Sequence, residues 1–189
     1  INGLPVDATH EQHTHLIDII TTYSLDIFGA QEINLNLTHA EPQHQWGRRF
    51  KTHNYFSFAS YNTHTSSQEK QLFGALFLNK QMTARMLQHG QDPTGLGRWT
   101  WVRISGRQGI TTCIINGYRP VRDNSNRPGT VYSQHEKYFY DNDQRREPRT
   151  AFLADIENEI RTWMNNGDQI VLGLDANEHI HSVEFSTWI

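Results

Sequence analysis

A single cysteine, Cys113, among 189 residues has no partner within the chain, so no internal disulfide framework holds the fold. That thiol is compatible with a reducing compartment, and the expected location is intracellular, nuclear or cytoplasmic. Long hydrophobic runs are missing too, and with them any candidate for a membrane-spanning helix. Charge of one sign is not in excess: 17 Lys and Arg against 20 Asp and Glu leave a formal net charge of −3. A nucleic-acid partner must therefore be met by a local basic patch and not by the overall field. Internal repeats and an evident linker are absent as well. What remains, 36% apolar and 20% charged residues, is the composition of an ordinary globular chain, long enough to bury a real core as one domain.

The stretch from Gly167 to His179, GDQIVLGLDANEH, organises the reading of the rest. Ile170, Val171, Leu172 and Leu174 form an apolar run too short for a free-standing helix, which predicts a buried strand. The chain then turns polar at Asp175, Asn177 and Glu178. If extended backbone continues through Ala176, Asp175 and Asn177 share a face. A carboxylate and an amide side by side at a strand end can seat a phosphate ester and a divalent metal. The Asp offers a hard oxygen, and the Asn can hold a substrate oxygen or an attacking water. The competing reading is a plain turn, which both residues start readily.

Upstream, the spacing of Leu16, Ile19, Ile20 and Tyr23 predicts a helix over about 9–23. His10, His13 and His15 precede that stripe without a carboxylate or Cys to complete a metal set, and read as a solvated face. Leu25 to Glu32 is a second strand ending in acid, with Glu32 where the strand emerges. Trp46, Arg48, Arg49, Phe50 and Lys51 interleave basic and aromatic side chains, which suits phosphate contact with base stacking and suits a surface loop equally. Strands are expected at Tyr55–Phe58 and Leu72–Leu78, where Gly74 and Ala75 allow close approach of a backbone or ligand. A short helix is expected from Gln81 to His89. Trp99–Ile104 and Ile110–Asn116 read as a hairpin. Tyr118 follows the second hairpin strand, as a phosphate-binding hydroxyl or a packing residue. Val131–Tyr140 looks helical. Pro148 opens another helix, with Phe152, Leu153, Ile156, Ile160 and Trp163 as its apolar stripe and Gly167 as its stop.

Strand ends thus supply Asn2, Glu32, Tyr118, and Asp175 with Asn177, in that order. The pieces INGL, GAQE, GYRP and GLDANE, in this order, resemble the endonuclease/exonuclease/phosphatase superfamily, and most closely the endonuclease domains of non-LTR retrotransposons. The resemblance implies an α/β fold, a four-layer α/β/β/α sandwich of two packed mixed β-sheets flanked by helices. It identifies Glu32 as a metal ligand, with Asn2 as the second polar position of the N-terminal motif. It gives Asp175 the role of orienting or deprotonating the attacking water, Asn177 that of binding the scissile phosphate, and Tyr118 that of a phosphate contact. The family's further Asp and its Ser/Asp-His pair lie well downstream of such a motif. Residues 1–189 are accordingly expected to be a single domain lacking its C-terminal part.

The implied chemistry is hydrolysis of a phosphodiester in DNA with Mg²⁺ or Mn²⁺, hard oxygen ligands being favoured over a Zn²⁺ set. Arg48, Arg49, Arg119 and Arg122 are expected to rim the cleft and contact phosphate. Two alternatives stand beside this expectation. One is a phosphatase of inositol lipids or other small phosphoesters. The other is a non-catalytic binding or assembly module on the same fold, because the downstream His and the first N-terminal Asn are missing.

Overall fold

The computed structural model describes residues 11–36, 47, 49–64, 71–123, 129–179 and 181–188. In chain order the elements are α1 (Glu11–Thr22), β1 (Ile27–Asn36), β2 (Tyr55–Tyr61), β3 (Gln71–Asn79), α2 (Lys80–Thr83), β4 (Met86–Gln91), β5 (Trp99–Ser105), β6 (Thr111–Tyr118), α3 (Val131–Asp141), α4 (Pro148–Asn165), β7 (Gln169–Asp175) and α5 (Val183–Trp188). They form two sheets. Sheet A has the strand order β1-β3-β2, all antiparallel, and sheet B is mixed, β4-β5-β6-β7, with the β6–β7 pair parallel.

Alternation of side chains along each strand builds the layers. Phe77 and Ala75 of β3, with Ala30 of β1, meet Leu16, Ile17 and Ile20 of α1 on the outer face of sheet A. Leu76 and Leu78 point the other way, into a cluster with Val102, Ile104 and Ile114 of sheet B. On the outer face of sheet B, Trp99, Cys113 and Ile115 pack against Phe152, Leu153, Ile156 and Trp163 of α4. The result is the four-layer α/β/β/α sandwich. Trp99 meets Phe152 edge to face at 5.7 Å and Trp101 lies 5.3 Å from Trp163, so aromatic packing carries much of the sheet B–helix contact. Among the described residues no helix is long and apolar enough to cross a membrane.

A polar stitch crosses the middle of the seam between the sheets. Asn116 of β6 is buried and donates from Nδ2 to the carbonyls of Ala30 at 2.9 Å and Ala75 at 3.3 Å. Gly29 and Gly74 make the room: a Cβ on Gly29 would stand 2.7 Å from the Asn116 Oδ1. What approaches closely at Gly74 is therefore this side chain.

Four local expectations are corrected. The buried stripe of α1 is His13, Leu16, Ile17 and Ile20, while Ile19 and Tyr23 are exposed; the period is right and its phase is off by one residue. His13 accordingly lies in the core, its ring 6.5 Å from that of Phe50, and not on a solvated face. The helix expected at 81–89 is only α2, capped by Asn79 accepting from the Met82 N–H, after which β4 pairs with β5. The strand β7 is not sealed on both faces: it ends sheet B among the described strands, and Val171 is 54% exposed.

Candidate active site

Pairing in sheet B sets the first two groups side by side. β6 and β7 run parallel with Tyr118 opposite Asp175, and the Arg119 N–H extends the ladder by donating to the Asp175 carbonyl at 2.9 Å. On β6 the face that carries Ile114 and Asn116 looks at sheet A, so Tyr118 faces that way too. Its hydroxyl crosses the seam and donates to the Glu32 carboxylate at 3.2 Å. Burial raises the Tyr118 phenol pKa, and the carboxylates of Glu32 and then Asp175 push it further, so at neutral pH the group is a proton-carrying donor.

Glu32 reaches that seam through a break in the pleat. In an uninterrupted β1, Ala30 and residue 32 would share the face toward α1. Ala30 and Ile33 are instead the two that enter the α1 core, and the β1–β3 register shifts between Gln31 and Leu35. Glu32 adopts a left-handed backbone, φ 53°, at this bulge. Three β1 residues, Glu32 to Asn34, stand opposite the single residue Phe73 of β3, and this two-residue excess turns the carboxylate to the Tyr118 side. A non-glycine residue held there costs on the order of 1–3 kcal/mol, which the surrounding sheet must offset. Glu32 thus lies at a bulge inside β1, not where the strand ends.

The Asp175–Asn177 segment is a turn. The strand stops at Asp175, Asn177 has φ 46°, and the Asn177 N–H donates to Asp175 Oδ1 at 3.2 Å. The two side chains therefore owe their proximity to an Asx-type turn and not to continued extension. Asn177 Nδ2 donates to the Arg119 carbonyl at 2.7 Å. Arg149, in the first turn of α4, closes the arrangement. It donates to the Pro120 carbonyl at 2.7 Å, the Asn177 carbonyl at 3.1 Å and the Glu178 carboxylate at 2.7 Å. The His179 N–H and then Arg149 hold the Glu178 carboxyl below its usual range. Arg119 Nε in turn donates to the Arg149 carbonyl at 3.3 Å. Local sequence sets this up: Pro120 keeps Arg119 extended, and Pro148 with the Glu147 cap starts α4 so that Arg149 falls in its first turn. Arg149 carries no motif signal and was not foreseen.

Among the described residues, Arg122 is the one expected rim arginine that lines a cleft there. It lines a cleft of about 400 Å³ together with Tyr118, Val121, Asp123, Val131 and Tyr132. Arg119 is a correction: its side chain is 0% exposed, held beneath the turn against Arg149 and Glu178, so it cannot meet a phosphate in the cleft. Arg49 is not brought to the cleft either, since its guanidinium donates to Thr14 of α1, on the outer layer, at 2.6 Å. Arg48 and Asn2 lie outside the described residues.

The donors here fit a hard divalent cation in a limited way. Glu32 and Asp175 flank Tyr118 with Asn177 next to them, all oxygen chemistry. No group of three or more His, Cys, Asp or Glu with metal-holding geometry occurs among the described residues. That is short of a closed cage and compatible with Mg²⁺, which keeps several waters and relies on one or two carboxylates plus substrate phosphate.

No family model and no curated protein matches the sequence. The fold is that of solved endonuclease/exonuclease/phosphatase proteins. The chain is similar to the catalytic domain of human Nocturnin with a bound sulfate anion, at TM-score 0.57 and 13% identity over 97% of this chain and 63% of that one. It is similar to an endonuclease/exonuclease/phosphatase family protein from Bacteroides thetaiotaomicron, at TM-score 0.57 and 12% identity over 100% of this chain and 64% of that one. A mannosyl-6-phosphatase of the same bacterium gives TM-score 0.58 and 12% identity over 100% of this chain and 66% of that one. The chain thus spans less than two thirds of the length of these proteins.

Proposed function

We propose that this chain belongs to a metal-assisted phosphodiesterase acting on DNA, an endonuclease of the retroelement type. The observation that carries the reading is the hydrogen bond from Tyr118 to Glu32 across the seam, with Asp175 paired beside Tyr118. Glu32, Tyr118 and Asp175, far apart in sequence, are thereby brought together, as phosphoester chemistry requires. Glu32 is the residue that would hold Mg²⁺ or Mn²⁺. Such a cation supplies neutralisation of the charge that develops on the phosphate. With Glu32 engaged by the cation, the Tyr118 hydroxyl would turn from Glu32 to donate a hydrogen bond to a phosphate oxygen. Asp175 orients the attacking water and accepts its proton. Asn177 Nδ2 donates to the Arg119 carbonyl, which holds the amide beside the Tyr118 hydroxyl, and from there Asn177 would bind the scissile phosphate.

Two observations favour other readings. The structural likeness to a mannosyl-6-phosphatase supports a small-phosphoester substrate, for which inositol-lipid phosphates are a further candidate. The incomplete ligand set among the described residues supports a non-catalytic binding module. Three readouts on the full-length protein separate these readings: nicking of supercoiled plasmid with Mg²⁺, phosphate release from soluble phosphoesters, and a gel shift of intact DNA. Wild type should nick, and Glu32→Gln should lower nicking at least about 100-fold with little change in melting temperature. Phosphate release without nicking points to the small-phosphoester enzyme. A gel shift of intact DNA with neither activity points to the binding module.

A further inference from the structure

We propose that the cleft beside Tyr118 is a nucleoside subsite, in which one base of the substrate strand stacks on Tyr132 while Arg122 meets the adjoining phosphate. This rests on the phosphodiesterase reading of the same site. At about 400 Å³ the cleft sits at the small end of the range for small-ligand sites, about 300–1,000 Å³. At that volume the cleft suits a single nucleotide. Its walls suit a flat ring. Tyr132 lines it with its hydroxyl tethered to the Glu147 carboxylate at 3.2 Å, which pins the tip of the side chain and leaves the ring as the contact surface. Val121, 51% exposed, and Val131 are apolar neighbours in the same lining. Aromatic and apolar walls of this kind hold bases without regard to sequence.

Arg122 supplies the charge. Its side chain is 58% exposed, and its contact with Glu147 is long, 3.9 Å. An exposed pair at that distance is weak, so the guanidinium can exchange Glu147 for a phosphate at small loss and gain a bidentate contact. Glu147 does not depend on Arg122 for its own position, because its carboxylate caps α4 by accepting from the Thr150 N–H at 2.7 Å. A sugar phosphate or an inositol headgroup offers this cleft a phosphate but no flat apolar face for Tyr132.

The test compares two probes, a nucleoside 5′-monophosphate and ribose 5-phosphate, by calorimetric titration without turnover. Wild type should bind the nucleotide about 5- to 150-fold tighter, the range that stacking one base on an aromatic ring provides. Tyr132→Leu should bring that ratio to about one, and Tyr132→Phe, which loses only the Glu147 bond, should preserve it. Arg122→Ala should weaken both probes alike and leave the ratio unchanged. Melting curves of the same preparations establish that each variant is folded. Equal binding of the two probes by wild type overturns the proposal, as does a nucleotide preference that survives Tyr132→Leu. Tighter binding of a short-chain phosphoinositide than of the nucleotide also overturns it, in favour of a lipid substrate. A chain that shows the Tyr132-dependent preference and hydrolyses nothing keeps the subsite and loses the phosphodiesterase reading, so the two failures are distinct.

Discussion

Arg98 and Arg149 are both buried guanidiniums that tie a loop to helix α4, and they differ in what they bind. Arg98 grips carboxylates: both oxygens of Asp92, at 2.6 and 3.1 Å, and Asp155 of α4 at 2.8 Å. Its ring of donors is further occupied by Thr94, and it lies 4.6 Å over the Trp99 ring. Arg149 grips two main-chain carbonyls and one carboxylate, Glu178, whose side chain is 25% exposed. In the first cluster a buried charge cancels a buried charge. In the second a charge fixes the path of two loops, which leave β6 after Tyr118 and β7 after Asp175, the latter carrying Asn177. The first cluster is about whether the chain folds, and the second about where its turn points.

Removing the guanidinium is the sharpest way to break that contrast. Arg98→Ala leaves Asp92 buried and uncompensated, and should cost about 3–5 kcal/mol in urea or thermal melting, with activity per folded molecule retained. Arg149→Ala should cost less, about 1–3 kcal/mol, because carbonyls and a part-exposed carboxylate can rehydrate. It should nonetheless depress turnover more than Arg98→Ala does. Arg149→Lys should regain most of the stability and little of the rate, because one ammonium cannot span the three acceptors. Equal activity of Arg149→Ala and wild type per folded molecule would dissolve the distinction between the clusters.

A pH slope is expected on the Arg98 side. His135 is buried beside Arg98 and Asp92, and burial first, then Arg98, pushes its imidazole pKa down to about 3. The unfolded chain takes that proton near the ordinary value of about 6.5. Between those values the unfolded state binds the extra proton, so stability is full above about pH 6.5 and is lost as pH falls, by up to about 1.4 kcal/mol per pH unit. Asp92, held below its usual range by Arg98 against the opposing effect of burial, adds a loss at more acid pH, with the same sign. Urea midpoints at pH 7, 6, 5 and 4 should fall for wild type and flatten over pH 6–4 for His135→Phe. Parallel curves for the two would mean that His135 does not set the slope.

The parts of the fold legible from sequence were those with a strong period or a clear terminus. The α4 stripe with Pro148 and Gly167, the hairpin of β5 and β6, and the four-layer order all follow from local pattern plus the resemblance of short motifs. What escaped depended on tertiary partners. The phase of α1 is chosen by Phe50 and Phe77 across the interface, which no count of apolar residues in α1 contains. The bulge at Glu32 appears in sequence as an ordinary strand, GAQEIN, and only pairing with β3 shows the two extra residues. Arg119 and Arg149 look like solvent-facing cations until the loops around them close. The order of the strand-end groups was readable, and the mechanism that aims them was not.

Two sheets stacked face to face share no main-chain hydrogen bonds, so they form a slip plane that apolar packing alone leaves weakly indexed. Asn116 acts across it as a dowel, two residues before Tyr118 on one sheet and gripping the carbonyl two residues before Glu32 on the other. A slide of one residue is about 3.3 Å, several times the tolerance of about 0.5 Å that reacting groups accept. The alignment of a site whose halves sit on opposite plates is therefore indexed at a point removed from the chemistry. A conservative-looking change there, Asn116→Asp, would set a carboxylate against two carbonyl oxygens and mistune the distance from Tyr118 to Glu32 without touching either residue.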